Sequence, residues 1–361
     1  MTFVKTCLRL NNLLCLKLLY MQRKLSIVIC LFVYQLAVAQ EPPGYIGQRT
    51  MYFKDDSRHR PLVTEIWYPA TEAPVNTDKT FSPFIRQFTR RDAALPGKKL
   101  PMVLLSHGTG GGRLTMEWLA QGLAKNGYIV AAVDHWGNTY DNKIPLEFCK
   151  PWERPIDISF VLTVLLRDKE LGSAIDTTRI GAIGFSLGGY TVLALAGAVI
   201  NYDSLVHFYK TVGRKEIETP EMPGTARFLD DTALLSAMQR VPPLQDNRIK
   251  AFFSISPALG AGFASKDQFV RVDRPVFIVG AASDSMAPVA TNARHFQKLL
   301  QGAGYHEFKG RVGHYVMLNE TIDDLKKSDP VYFSDDPSVN RGAVHEQVIR
   351  LAAVFFKKQL K

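Results

Sequence analysis

The stretch RIGAIGFSLGGYTVLALAG (residues 179–197) decides how the fold is predicted. Its first part is a short apolar run typical of a buried strand, and its last part is rich in helix-forming residues. Ser186 stands between them in a G-x-S-x-G pattern with Gly184 and Gly188. A serine on a sharp strand-to-helix turn presents its hydroxyl above the carboxyl edge of a sheet, where a nucleophile is needed. The alternative is a glycine-rich packing turn with an incidental serine, and the strand–turn–helix context favours the nucleophile.

Outward from this stretch, short apolar segments alternate with segments of helical periodicity. The predicted strands are 46–56, 62–70, 101–108, 128–135, 179–185, 248–256, 274–281 and 305–310. This alternation predicts an α/β fold with a mostly parallel, eight-stranded sheet that helices cover on both faces. The first two strands are predicted to form an antiparallel edge, and residues 71–99 a surface loop with one short helix.

Residues 201–247 interrupt the alternation. They contain polar helical pieces and no strand pattern. A segment of this length inside a compact domain usually covers something. We therefore predict a helical lid insertion over the site that contains Ser186.

A serine nucleophile requires a histidine base, and the base requires a carboxylate to orient it. With a serine in this setting, the acid and then the histidine follow it along the chain. Of the eight histidines in the sequence, His314 alone follows the last predicted strand in a loop. Asp284 follows the strand at 274–281 and precedes a helix. Asp267 and Asp273 are rival acids, but they precede that strand.

The predicted oxyanion donors are the backbone N–H groups of Leu187, directly after the serine, and of Thr109, in the glycine-rich loop 107–112. Phe185 and Trp136 are predicted to line an apolar substrate pocket, with Trp118 as a further candidate, although aromatic residues at such positions are more often core. No spacing of metal ligands or of a phosphate loop is present, so neither a metal nor another cofactor is expected.

The N-terminal segment has the pattern of a secretory signal peptide. Residues 21–40 carry the basic residues Arg23 and Lys24 near their start, continue as an apolar run, and contain an A-x-A pattern that ends at Ala39. We expect residues 1–39 to be removed, with Met21 as an alternative start, and residues 40–361 to form the exported domain, periplasmic or secreted. The alternative, a membrane anchor, needs a longer apolar run.

The bulk composition excludes several function classes. The net charge is +10, but five basic residues and no acidic residue fall within residues 1–39, and the other basic residues are scattered. Nucleic acid is therefore not an expected partner. Cys149 is the only cysteine outside that segment, which excludes an internal disulfide in the exported chain.

Several segments together resemble a known family. They include VLLSHGTGGG (103–112), LAKNGYIVAAVDHWGNT (123–139), TTRIGAIGFSLGGYTVLALAGA (177–198) and RVGHYVML (311–318). The sequence is similar to the dienelactone-hydrolase-like branch of the α/β-hydrolases, related to platelet-activating-factor acetylhydrolases. The resemblance implies the α/β-hydrolase fold, Ser186 as nucleophile, His314 as base, and Thr109 and Leu187 as oxyanion donors.

The sequence departs from this family in two places. Dienelactone hydrolases use a cysteine where this chain has Ser186. The acetylhydrolases take their acid from the loop after the strand that corresponds to residues 252–256, where this chain has Ser256. Asp284 therefore remains the predicted acid.

The sequence predicts a serine hydrolase that cleaves a carboxylic ester of a small molecule through an acyl-enzyme, without a cofactor. An amidase or peptidase with the same three side chains is the nearest alternative. A non-catalytic binding protein on the same fold is the alternative from another class.

Overall fold

The central feature of the computed structural model, which describes residues 44–361, is one sheet of nine strands within those residues. The strands are β1 (Tyr45–Asp55), β2 (Arg60–Ala70), β3 (Arg90–Arg91), β4 (Leu100–Ser106), β5 (Ile129–Val133), β6 (Ile175–Phe185), β7 (Ala251–Ile255), β8 (Val276–Ala281) and β9 (Gly304–Phe308). Their order across the sheet is β3-β1-β2-β5-β4-β6-β7-β8-β9. Strand β2 pairs antiparallel with β1 and with β5, and all other neighbours are parallel.

Helices surround this sheet. The α-helices are α1 (Glu117–Lys125), α2 (Pro145–Phe148), α3 (Glu153–Arg167), α4 (Leu171–Ala174), α5 (Leu187–Ala196), α6 (Tyr202–Lys210), α7 (Arg214–Ile217), α8 (Thr232–Met238), α9 (Ala293–Leu299), α10 (Asp323–Ser328), α11 (Pro330–Phe333) and α12 (Arg341–Gln359). Short 3₁₀ helices occupy Asn76–Asp78, Thr225–Asp230, Gly260–Gly262, Lys266–Phe269 and His314–Met317. None of the helices in the described part of the chain is long and apolar enough to cross a membrane.

Both faces of the sheet are buried, which explains why its parallel strands are continuous apolar runs. In β5, Ile129, Ala131 and Val133 pack into one core together with residues of α3 and α5. The intervening Val130 and Ala132 pack into a second core together with residues of α1 and α12. The predicted mostly parallel sheet with helices on both faces is therefore confirmed.

The predicted number of eight strands is wrong, because β3 is a ninth strand within residues 71–99. Its two residues pair with Gly47 and Gln48 of β1. Both residues of β3 are arginines, so no hydrophobic pattern marks the strand. Polar contacts hold it in place: Arg91 donates to Glu65 over 2.6 Å, and its backbone N–H donates to Asp78 over 3.3 Å.

Residues 201–247 contain α6, α7, the 3₁₀ helix at Thr225–Asp230 and α8, and none of the nine strands of the described chain. Apolar residues of these helices, among them Leu205, Tyr209 and Leu234, form a separate cluster with Trp152. Ile200, Leu244 and Leu259 pack against both this cluster and the core that contains α3 and α5. The predicted signal peptide, residues 1–39, lies outside the described residues.

Candidate active site

Ser186 lies on the sharp turn between β6 and α5. Its backbone has φ 55° and ψ −117°, a conformation that costs a non-glycine residue about 1–3 kcal/mol. The glycines on either side permit this turn. A Cβ on Gly184 would lie 2.1 Å from the Gly188 oxygen, and a Cβ on Gly188 would lie 2.0 Å from the Ser106 oxygen. Only residues without side chains fit where the strand and helix backbones meet here.

His314 and Asp284 form a hydrogen-bonded chain with Ser186. The distance from His314 Nε2 to Ser186 Oγ is 3.0 Å, and the distance from His314 Nδ1 to Asp284 Oδ2 is 2.7 Å. The three side chains come from loops that follow β6, β8 and β9, at the carboxyl edge of the sheet. All three residues are buried, with Ser186 8% exposed. The structure thus brings together the predicted nucleophile, base and acid.

The Asp284 carboxylate is fixed by the backbone as well as by His314. Its Oδ1 accepts hydrogen bonds from the N–H groups of Met286, at 3.0 Å, and Ala287, at 2.7 Å. The neighbouring Ser283 N–H donates to the Val312 carbonyl, which ties the loop after β8 to the loop after β9. Oδ2 is consequently aimed at the imidazole. The rival acids Asp267 and Asp273 do not contact His314.

Thr109 and Leu187 both line the cavity that contains Ser186. Leu187 is the first residue of α5, so its N–H has no partner within the helix. Among residues 44–361, no acceptor takes a hydrogen bond from the backbone N–H of either residue. Both donors are therefore available to an oxygen bound above Ser186.

The cavity above Ser186 holds about 1170 Å³ of empty space, its open mouth included. Its wall combines residues of the loops that carry the site with residues of the segment 201–247, the predicted insertion. The apolar residues contributed by the insertion include Leu205, Val206, Ile217, Phe228, Leu229, Leu234, Leu235 and Met238. Glu216 and Glu221 also line it. Burial raises the pKa of Glu216, and hydrogen bonds from Asn292 and Thr291 partly oppose that shift.

One of the two predicted pocket aromatics lines this cavity and the other does not. Phe185 lines it, and its ring packs 4.7 Å from the His314 ring. Trp136 does not line it, and its ring centroid lies 5.5 Å from the Arg60 guanidinium, so the structure does not bring Trp136 together with the other predicted site residues. Trp118 is also outside the cavity, stacked on His345 at 3.8 Å. Arg60 and His345 come from distant parts of the sequence, so no local pattern indicates these contacts.

Sequence reasoning missed a buried polar cluster beneath the loop 107–112. Its five members are Ser106, His107, His135, Arg154 and Asp157, all 2% exposed or less. His135 Nε2 lies 2.9 Å from Ser106 Oγ, and His135 Nδ1 lies 3.0 Å from Asp157. These residue types match those around Ser186, but Ser106 and His135 do not line the cavity. The only sequence signal was the presence of two histidines at the ends of adjacent apolar strands.

The part of the chain that the structure describes contains no group of three or more His, Cys, Asp or Glu side chains placed to hold a metal ion. Cys149, at the edge of the cavity, has a pKa that burial raises to about 11, so its thiol remains protonated near neutral pH. The chemistry of the cavity therefore centres on Ser186 and His314.

Two comparisons with known proteins bear on the fold and the enzyme class. A ferulic acid esterase from Streptomyces cinnamoneus superposes with a TM-score of 0.58 at 18% sequence identity, over 90% of this chain and 92% of that chain. This similarity establishes the α/β-hydrolase fold. The family described as platelet-activating factor acetylhydrolase, isoform II, matches residues 78–141, which include the loop 107–112. That match supports the resemblance seen in the sequence and the predicted enzyme class, a carboxylic ester hydrolase. No curated protein matches the chain significantly.

Proposed function

We propose that the protein hydrolyses carboxylic esters through an acyl-enzyme formed on Ser186. One observation carries the proposal: Ser186, His314 and Asp284 form a continuous hydrogen-bonded chain at the base of a cavity. The family match and the fold point to the same class of reaction. An amidase would use the same three groups, but both matches are to ester hydrolases.

In the proposed reaction, Ser186 Oγ attacks the ester carbonyl while His314 Nε2 accepts its proton. Asp284 accepts a hydrogen bond from His314 Nδ1 and stabilises the imidazolium that forms. The carbonyl oxygen becomes an oxyanion and accepts hydrogen bonds from the N–H groups of Thr109 and Leu187. His314 then returns the proton to the leaving alcohol, and a water molecule hydrolyses the acyl-enzyme by the same steps.

The insertion at 201–247 is the proposed lid, and the substrate is proposed to place an apolar acyl chain beneath it. The support is the composition of the wall: eight of the fourteen lining residues from this segment are leucine, valine, isoleucine, phenylalanine or methionine, and the other six are two tyrosines, two threonines, Glu216 and Glu221. No lysine or arginine lines the cavity among the described residues. An acyl chain gains about 0.8 kcal/mol for each CH₂ group that it buries against such a wall.

A series of p-nitrophenyl esters from acetate to octanoate tests the enzyme class and the acyl site together. We expect kcat/KM to rise by up to about fourfold per added CH₂ until the chain fills the cavity. Val206→Phe places a larger side chain of α6 in the cavity. It is expected to lower kcat/KM for the octanoate ester by about tenfold and to leave kcat/KM for the acetate ester within about twofold of the wild type.

The matched control is Val212→Phe, because Val212 belongs to the same insertion but is exposed to solvent. Val212→Phe is expected to leave kcat/KM unchanged for every ester of the series. A steep decline of the wild-type kcat/KM with every CH₂ group added to acetate would contradict the proposed acyl site. Absence of turnover for every ester would contradict the proposed function itself.

We also propose that the protein is exported with residues 1–39 removed, on the basis of the basic start, apolar run and A-x-A pattern of the N-terminal sequence. N-terminal sequencing of the protein from the producing cells is expected to begin at Gln40. Retention of Met1 or Met21 would contradict the proposal.

A further inference from the structure

The Arg154 side chain is buried directly beneath the loop that carries Thr109. Arg154 is in the first turn of α3 and is 2% exposed. Its Nη1 donates to the His107 carbonyl over 2.6 Å, and its Nη2 donates to the Gly108 carbonyl over 3.1 Å. Burial lowers the pKa of Arg154 to about 9, with Asp157 opposing and Arg60 adding to this shift. The guanidinium therefore retains its charge near neutral pH, and the two backbone carbonyls to which it donates belong to one loop. Its Nη2 atom also lies 3.0 Å from Nδ1 of His107.

The Gly108 carbonyl is the focus of these contacts. Besides Arg154 Nη2, it accepts from His107 Nδ1 over 2.7 Å and from the N–H of Gly111 over 3.3 Å. His107 Nε2 accepts from the His135 N–H, which leaves the imidazole proton on Nδ1. Burial, followed by the Arg154 charge, holds the pKa of His107 well below its usual value, so this ring is neutral.

The Gly108 oxygen and the Thr109 N–H belong to one planar peptide group. In a trans peptide the N–H points away from the C=O. Donors on the protein side of the Gly108 oxygen therefore direct the Thr109 N–H to the opposite side, where both residues line the cavity. Hydrogen bonds to the oxygen also polarise the amide and make its N–H a stronger donor.

The cluster behind Arg154 is anchored to the rest of the protein. His135, which donates to His107, contacts the Asp157 carboxylate, and Asp157 also accepts two hydrogen bonds from Arg60 at 2.9 Å and 3.0 Å. Arg58 lies 2.9 Å from the same carboxylate. The loop 107–112 thus rests on a buried, extensively hydrogen-bonded support.

We propose that Arg154 is a positioning residue for the oxyanion: with His107, it orients and polarises the Gly108–Thr109 peptide so that the Thr109 N–H stabilises the negative charge. This inference rests on the proposed function. The effect belongs to the transition state, because only there does the substrate oxygen become an oxyanion.

The test compares the kinetics of Arg154→Met and Arg154→Lys with the wild type on p-nitrophenyl butyrate. Each enzyme is also titrated with an alkyl trifluoromethyl ketone, whose adduct with Ser186 carries an oxyanion. Loss of a complete oxyanion donor costs about 10²–10³ in kcat. Because Arg154→Met retains the N–H and loses only its support, we expect kcat to fall by about 10- to 100-fold. KM is expected to stay within about twofold, and the ketone affinity to fall by the same factor as kcat/KM. The kcat and ketone affinity of Arg154→Lys are expected to lie between those of Arg154→Met and those of the wild type.

Arg248→Met is the matched control. Like Arg154, Arg248 donates to a backbone carbonyl, but that carbonyl belongs to Ser159 of α3, at 2.9 Å. Arg248 does not contact the loop 107–112. We expect its kinetic constants to match the wild type. Should Arg154→Met fail to fold, as judged by circular dichroism, His107→Leu removes the other side-chain donor on the Gly108 oxygen and is expected to lower kcat and ketone affinity together.

Two outcomes overturn the inference in distinguishable ways. If the wild type hydrolyses the ester and Arg154→Met retains its kcat, or loses rate without losing ketone affinity, the inference fails and the proposed function stands. If the wild type neither hydrolyses the ester nor binds the ketone, the proposed function fails and the inference fails with it.

Discussion

Replacement of Ser186 with alanine is expected to lower kcat for p-nitrophenyl butyrate by about 10⁵–10⁶-fold, because it removes the hydroxyl that His314 contacts and that forms the acyl-enzyme. The Ser186 hydroxyl makes no capping hydrogen bond to α5, so its removal leaves the helix intact. We therefore expect the variant to fold normally and to bind substrate. Stopped assays at high enzyme concentration, together with thermal unfolding, measure the two effects separately.

Ser254→Ala is the matched control for this experiment. Ser254 is also a buried serine, but it lies within β7, its Oγ donates to the Gly189 carbonyl, and it does not line the cavity. Its kcat is expected to stay close to that of the wild type. Turnover by Ser186→Ala within about tenfold of the wild type would mean that another residue or another protein is responsible.

Replacement of Asp284 with asparagine is expected to lower kcat by about 10⁴-fold with little effect on KM. The Asp284 Oδ1 atom accepts from Met286 and Ala287, so the carbonyl oxygen of an asparagine would keep that position. Its NH₂ group would then face His314 Nδ1 and donate to it. The imidazole proton would move to Nε2, which could no longer accept the proton of Ser186. Steady-state kinetics of the purified variant measure the loss.

The control for this variant is Asp267→Asn. Asp267 is a rival acid in the sequence, but the structure places it in the 3₁₀ helix Lys266–Phe269, away from His314. Its kinetic constants are expected to match those of the wild type. The assignment of Asp284 would be wrong if Asp284→Asn kept more than about a tenth of the wild-type kcat.

Much of the fold and the centre of the site are accessible from the sequence because both depend on local signals. The strand, Ser186 and helix are contiguous in sequence, and buried parallel strands are continuous apolar runs. Asp284 and His314 each follow an apolar strand directly. Since the carboxyl ends of parallel strands meet at one edge, the positions of these residues in the chain predict that they come together.

The remaining features depend on contacts that no local pattern encodes. Strand β3 consists of two arginines and forms only because β1, Glu65 and Asp78 provide its partners. Trp136 directly follows the predicted strand 128–135, but its ring lies against Arg60 of β2 and does not line the cavity. Arg154 is a charged residue near the start of α3, and a charged residue is expected from the sequence alone to be exposed to solvent. Its role beneath Gly108 becomes visible only once α3 is packed against the loop 107–112.

The claim that Ser186 is the activated nucleophile is tested most directly by labelling with a fluorophosphonate, followed by proteolysis and mass spectrometry of the peptides. We predict a single adduct on Ser186, formed rapidly by the wild type and about 10³-fold or more slowly by Asp284→Asn, whose histidine can no longer accept the serine proton. Ser106, which also contacts a histidine, is buried outside the cavity and is predicted to remain unmodified. An adduct on another residue, or no adduct on an enzyme that hydrolyses esters, would contradict the account.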